Sequence, residues 1–151
     1  MNKFKVVLNS EEIKKIIPHR DKALLIDGVE IFGSGDMANA ICHLGLRAHL
    51  FDGHFPGDPI LPGIFIQEAM AQTGAVMVLY SNLELRNERF LFSGVESVKY
   101  RGIVRPNSVL FFTVNLVHLK KASKPFAAKF SAEAIIDDKK VASAVFSGIM
   151  P

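Results

Sequence analysis

One stretch of this chain cannot stand alone in water, and it limits the folds available to the rest. From Pro62 about 19 residues follow with no proline and a single internal glycine, Gly74. Proline suits the first position of a helix, and at 1.5 Å per residue the run predicts a helix roughly 28 Å long. Ile64, Phe65, Ile66, Ala69, Met70, Val76, Met77, Val78 and Leu79 leave it no wide polar face. A helix that is apolar all round has to be covered by other elements of the fold.

The cover is legible downstream. RFLFSGVESVKY (89–100), SVLFFTVNLVHL (108–119), PFAAKFSAEAIID (125–137) and KKVASAVFSGIM (139–150) are rich in Val, Phe and Ile and alternate as strands do. The Asp137-Asp138-Lys139-Lys140 cluster joins the last two as a hairpin. Upstream, ALLIDGVEIF (23–32) and GDMANAICHL (35–44) read as two further strands around Gly33, Ser34 and Gly35. The prediction is an α+β fold: a curled, mostly antiparallel sheet of about six strands wrapped around one long central apolar helix. SEEIKKII (10–17) reads as a short amphipathic helix with Ser10 as N-cap and Pro18 as stop, and residues 45–61 as a long Gly/Pro-rich loop. The length of 151 residues suits a single domain over 1–151, with no internal repeat or linker.

Composition narrows the function classes. With 49% hydrophobic and 22% charged residues the chain is globular. Its one cysteine, Cys42, closes no intramolecular disulfide, and no Cys/His spacing fits structural zinc. MNKFKVVLNSEE returns to charge too soon for a standard signal peptide, and no run reaches the roughly 20 apolar residues of a membrane span. A cytoplasmic location is expected. The net charge of +3 favours an acidic partner, while the dispersed basic residues carry no nucleic-acid signature.

Chemistry concentrates between residues 54 and 72. Glu68 sits inside the apolar run, where a carboxylate either finds partners or keeps its proton, and an acid available near neutral pH is expected. Gln72, one turn on, lies on the same face to orient it. Ala71, Gly74 and Ala75 keep that neighbourhood slim, either for a ligand or for close packing on the sheet. His54 precedes Phe55-Pro56-Gly57-Asp58-Pro59, a constrained path that holds the imidazole as a candidate base, with Phe55 and Pro56 in support. Gly63 opens the helix, where unpaired N–H groups and a positive partial charge can receive a carbonyl oxygen. His19, His43, His49 and His118 read as surface residues.

GHFPGDPILPGIFIQEAMAQ (53–72) closely resembles the signature of the FabZ-type (3R)-hydroxyacyl-acyl carrier protein dehydratases, enzymes of the hot-dog fold. IIPHR, LLID, FSGVESVKYRGIVRP and the final strands resemble that family more weakly. The resemblance implies that His54 and Glu68 are the catalytic pair and that the Gly63 N–H holds the thioester carbonyl. It also implies that the histidine of one subunit meets the glutamate of its dimer mate. The implied assembly is a homodimer, or a hexamer built as a trimer of dimers. The implied reaction removes water from a 3-hydroxyacyl thioester to give a trans-2-enoyl product, with no cofactor and no metal, in fatty acid or polyene and polyketide synthesis. The implied partner is acyl carrier protein, met by Lys99, Arg101 and Arg105 unless these are merely solvated strand-end charges.

Two departures from the family pattern stand out. Pro106-Asn107-Ser108 replaces the usual Pro-Gly-Asp, and HRDKALLIDG lacks the aromatic-Pro pair before its leucines. An acyl thioesterase on the same fold, a non-catalytic acyl-carrier-binding protein and a dehydratase-isomerase stay open as other readings.

Overall fold

The computed structural model describes residues 5–151, so the first four residues of the N-terminal stretch read above for a targeting signal lie outside it. Seven strands form one sheet: β1 (Lys5–Asn9), β2 (Gly28–Phe32), β3 (Met37–His43), β4 (Leu91–Tyr100), β5 (Val109–Lys120), β6 (Phe126–Ile136) and β7 (Lys139–Met150). All pairings are antiparallel, in the order β1-β2-β3-β5-β6-β7-β4. The count exceeds the predicted six because Lys5–Asn9 pairs with Gly28–Phe32 as an edge strand.

The long helix α2 spans Gly63–Ser81, with Pro62 as its N-cap rather than its first helical residue. It packs against β3, β5, β6 and β7, so the curled sheet covers the apolar run as expected of a hot-dog fold. The covering is uneven along the helix. Residues 69–79 are all buried, whereas Ile64 is 66% exposed and Gln67 and Glu68 are only partly covered. No helix among the described residues is long and apolar enough to cross a membrane.

The short helix α1 (Ser10–Lys14) is capped by Asn9, not Ser10. Asn9 Oδ1 accepts from Glu12 N–H while the Glu12 carboxylate accepts from Asn9 N–H, a reciprocal pair that satisfies two otherwise unpaired donors. The β6–β7 hairpin turns on Asp137 and Asp138, both at positive φ (47° and 63°), the backbone that a two-residue type I′ loop needs. Asn107, which stands where the family pattern has glycine, also takes a positive φ of 65°. Asparagine tolerates that region better than most side chains, so the altered turn keeps its path.

A row of aromatic rings links the core to the helix. Phe130 stacks on Phe146 at 5.3 Å, Phe146 on Phe92 at 5.5 Å, and Phe90 meets Phe130 edge-on at 6.0 Å. A Cβ at Gly74 would come within 3.1 Å of the Phe130 ring, so Gly74 serves close helix–sheet packing. The outer end of this row, Phe90 and Phe92, reaches the surface beside Glu68.

Candidate active site

His54 lies half-buried on a loop whose backbone is cross-tied from within. Ile60 N–H donates to His54 O at 2.8 Å, and Phe55 and Asp58 exchange backbone hydrogen bonds around Gly57, whose φ is +74°. The ring is fixed as well: Nδ1 lies 2.8 Å from Ile60 O. A carbonyl oxygen only accepts, so Nδ1 carries the hydrogen of the neutral imidazole and Nε2 is left with a free lone pair. The loop thus selects the tautomer that a base at Nε2 requires. Phe55 stacks on the His54 ring at 4.0 Å and is itself 51% exposed.

The loop is also held from outside. The Arg105 guanidinium donates to Asp58 Oδ1 and, at 3.2 Å, to Pro59 O, while Leu61 N–H donates to Val104 O. Arg105 therefore clamps the segment that carries His54, a role its charge alone did not reveal. Arg105→Ala is expected to lower kcat by about tenfold through loss of loop order, since misplacement by 1 Å costs up to about 10²-fold. The melting temperature, read beside the rate, should fall little because exposed pairs contribute about 0–1 kcal/mol. Arg101 donates to Ser143 Oγ at 2.6 Å, and Lys99 is exposed on β4.

Glu68 occupies a second place. It lines a cleft of about 170 Å³ with His19, Ala71, Gln72, Ala75 and the Phe90–Phe92 stretch. Ala71 and Ala75 thus leave room, unlike Gly74, which packs against the sheet. Gln72 Nε2 donates to Glu68 Oε1 at 2.9 Å, and His19 Nε2 stands 3.4 Å from the same oxygen. Burial works to raise the Glu68 carboxyl, but His19 and Gln72 more than offset it and hold the group below the usual glutamate value. This corrects the expectation of an acid available near neutral pH: the carboxylate found partners. The isolated chain also leaves the side chain 40% exposed.

Gly63 is the first residue of α2, where helix geometry leaves the N–H without an intrahelical partner. The Tyr100 ring fills the space that a Cβ at Gly63 would need, and the Gln67 amide reaches the Tyr100 hydroxyl. No spacing in the sequence connects Tyr100 to Gly63, so its place beside the start of α2 emerges only from the fold.

Two of the four histidines expected at the surface are set into the fold: His19 stands at Glu68, and His49 Nε2 is buried without a partner among the described residues. His118 is exposed as expected, and so is the His43 side chain, at 45%, with Nδ1 3.0 Å from Asp27 Oδ2. His19 belongs to the IIPHR segment of the resemblance, and that was the available signal. His54 and Glu68 are joined by no hydrogen bond or ion pair among the described residues, and His54 does not line the Glu68 cleft. Among the described residues no group of three or more His, Cys, Asp or Glu converges as a metal centre would require.

The chain is similar to known proteins in sequence and in fold. Residues 17–145 match the FabA-like domain family. The 3-hydroxyacyl-acyl-carrier-protein dehydratase FabZ of Ligilactobacillus salivarius is 42% identical over 138 residues, 91% of this chain and 95% of that protein. The enzyme of the same name from Latilactobacillus sakei is 46% identical over 114 residues, 76% of this chain and 81% of that one. Among solved structures, the dehydratase heterocomplex ApeI:P from Xenorhabdus doucetiae matches with a TM-score of 0.73 at 18% identity, over 92% of this chain and 90% of that one. An HP0420 homologue from Helicobacter felis matches at 0.64 and 16% identity, over 91% and 99%. These two likenesses speak to the hot-dog fold alone. With a family match over most of its length and close relatives covering nearly all of it, the chain belongs to the FabZ-type dehydratases of the FabA-like family.

Proposed function

We propose that this protein dehydrates (3R)-3-hydroxyacyl groups carried on acyl carrier protein to trans-2-enoyl groups, in fatty acid synthesis or a related acyl-chain pathway. The observation that carries the reading is the 2.8 Å contact of His54 Nδ1 with Ile60 O, which assigns the hydrogen of a neutral ring to Nδ1 and leaves the Nε2 lone pair for a base. His54 Nε2 takes the C2 proton while the Gly63 N–H steadies the negative charge gathering on the thioester oxygen. The C2=C3 double bond forms, the C3–O bond breaks, and the departing hydroxyl takes up a proton and leaves as water. Glu68, a carboxylate in the open chain, accepts a hydrogen bond from the 3-hydroxyl and orients it. Closing the cleft strips further water from Glu68 and pushes it toward the protonated form that can supply the proton to the leaving group.

The site is completed by a second copy of the chain, with His54 of one subunit beside Glu68 of the other. Support comes from the apolar surface left bare near both: Phe55 is 51%, Ile64 66%, Leu91 42% and Tyr100 46% exposed. Among the described residues β4 pairs with β7 alone and forms an edge of the sheet, a ready surface for a dimer or a trimer of dimers. Lys99 and Arg101, with Arg105 through its exposed portion, present positive charge to the acidic carrier. The chain acts as a single cytoplasmic domain in this reading.

The test is incubation with 3-hydroxyacyl carrier protein while enoyl formation is followed. Release of free thiol without enoyl product would indicate a thioesterase, and tight binding without turnover a carrier-docking protein.

A further inference from the structure

The hydrogen-bond donors around Glu68 can be assigned one by one from a group that has no choice. Leu25 N–H can only donate, and it meets Gln72 Oε1 at 2.9 Å, which fixes the orientation of the Gln72 amide. Both Gln72 N–H bonds are then directed, one to Ala23 O at 2.8 Å and one to Glu68 Oε1 at 2.9 Å. Oε1 of Glu68 is therefore an acceptor by necessity.

His19 bears on the same oxygen. Its Nε2 lies 3.4 Å from Glu68 Oε1, while its Nδ1 is buried without a partner among the described residues. A buried unpaired N–H is rarer and costlier than an unpaired acceptor, so Nδ1 is the bare nitrogen and Nε2 holds the hydrogen. The separation is long for a hydrogen bond, as catalytic hydrogen bonds often are before substrate binds. Arg20 braces the segment that presents the ring, donating to Lys14 O, Ile17 O and His19 O at 2.7, 2.9 and 2.8 Å. Among the described residues that line the cleft, His19 and Glu68 are the only titratable groups; Phe90 comes just before β4, Leu91 and Phe92 from it, and α2 contributes Ala71, Gln72 and Ala75 besides Glu68.

We infer that His19 is a positioning residue: its Nε2–H and the Gln72 amide together claim Glu68 Oε1, so that Oε2 is the oxygen turned to substrate and the one that takes a proton. A proton on Oε1 would face two donors, so protonation is directed to the other oxygen. The inference rests on the reading of Glu68 as the group that meets the 3-hydroxyl, and it adds which atom does so and what selects it.

Carbon-detected NMR titration of the Glu68 carboxyl in the purified chain tests it, beside nitrogen shifts of the His19 ring. The expected ring signature is a hydrogen on Nε2 and a bare Nδ1; the opposite tautomer overturns the inference. In His19→Ala the Glu68 midpoint should move upward, and kcat should fall by about 10- to 10²-fold with KM little changed. His19→Gln, which keeps a donor at similar reach, should hold the midpoint near the wild-type position and restore most of kcat. A midpoint unmoved or lowered in His19→Ala, or equal behaviour of the Ala and Gln variants, overturns the inference. If Glu68→Gln retained full turnover, the role of Glu68 would fail instead, while the titration would still decide that of His19.

Discussion

His54→Ala is expected to slow enoyl formation by about 10²–10⁴-fold, the range that a positioned general base contributes. Unfolding midpoints should scarcely move, because the side chain is half-exposed on a loop whose shape rests on backbone bonds around Gly57 and on Arg105. A variant that melts early would indicate a structural role, and one that keeps its rate would remove His54 from the mechanism. The pH profile of the wild type offers an independent check. Protonation of Nε2 removes the lone pair, so the rate should decline on the acid side. Glu68 does not account for that limb in the free enzyme, since His19 and Gln72 hold its carboxyl below the usual glutamate value despite burial. The His54 substitution should therefore abolish the acid limb, whereas His19→Ala should leave it in place.

The parts of the fold that rest on local patterning were legible and those that rest on distant partners were not. A run with no polar face had to be a covered helix, and alternating Phe126, Ala128, Phe130 and Ala132 had to be a strand with one buried side. β1 escaped because five residues with two inward positions look like the lead-in to a helix until Gly28–Phe32 is brought alongside. The misplaced cap is instructive: Asn9 and Ser10 are equally good cap residues, but only Asn9 has a glutamate three positions on. The site divides in the same way. Gln72 next to Glu68 follows from helix spacing, whereas His19 comes from a segment 49 residues earlier that no periodicity connects to α2. The lowered Glu68 carboxyl follows from that gap. Burial can be inferred from an apolar run, but the donors that offset it have to be seen.

Asp27→Ala is expected to produce the largest loss of stability of any single polar change outside the site. Asp27 takes the Arg47 guanidinium on both oxygens, from Nη2 at 2.8 Å and Nη1 at 2.9 Å, and also accepts His43 N–H at 2.7 Å. Arg47 is only 7% exposed and fastens two further segments through Leu24 O and His43 O, so the pair joins the start of β2 to the end of β3 and the loop that leads to His54. Removing the carboxylate strands a guanidinium in the interior. Breaking a buried pair costs about 3–5 kcal/mol, and the 22% exposure of Asp27 places the loss near the lower end. For a chain of this size that corresponds to a fall in melting temperature of roughly 6–12 °C. The sign of the pH dependence follows from the same contacts. Burial raises the Asp27 carboxyl, yet Arg47 and His43 outweigh it and leave the group below its ordinary value. The unfolded chain therefore binds the proton more readily, so this contribution is complete above the ordinary aspartate range and is lost as pH falls through the lowered folded-state value. Urea midpoints measured at pH 7 and pH 3 should differ more for the wild type than for Asp27→Ala, since the window of loss lies below the ordinary aspartate value. Pairing Asp27→Leu with Arg47→Met should recover much of the loss, because no charge is then left buried; if the double variant were as unstable as the single one, packing rather than the ion pair would hold this junction.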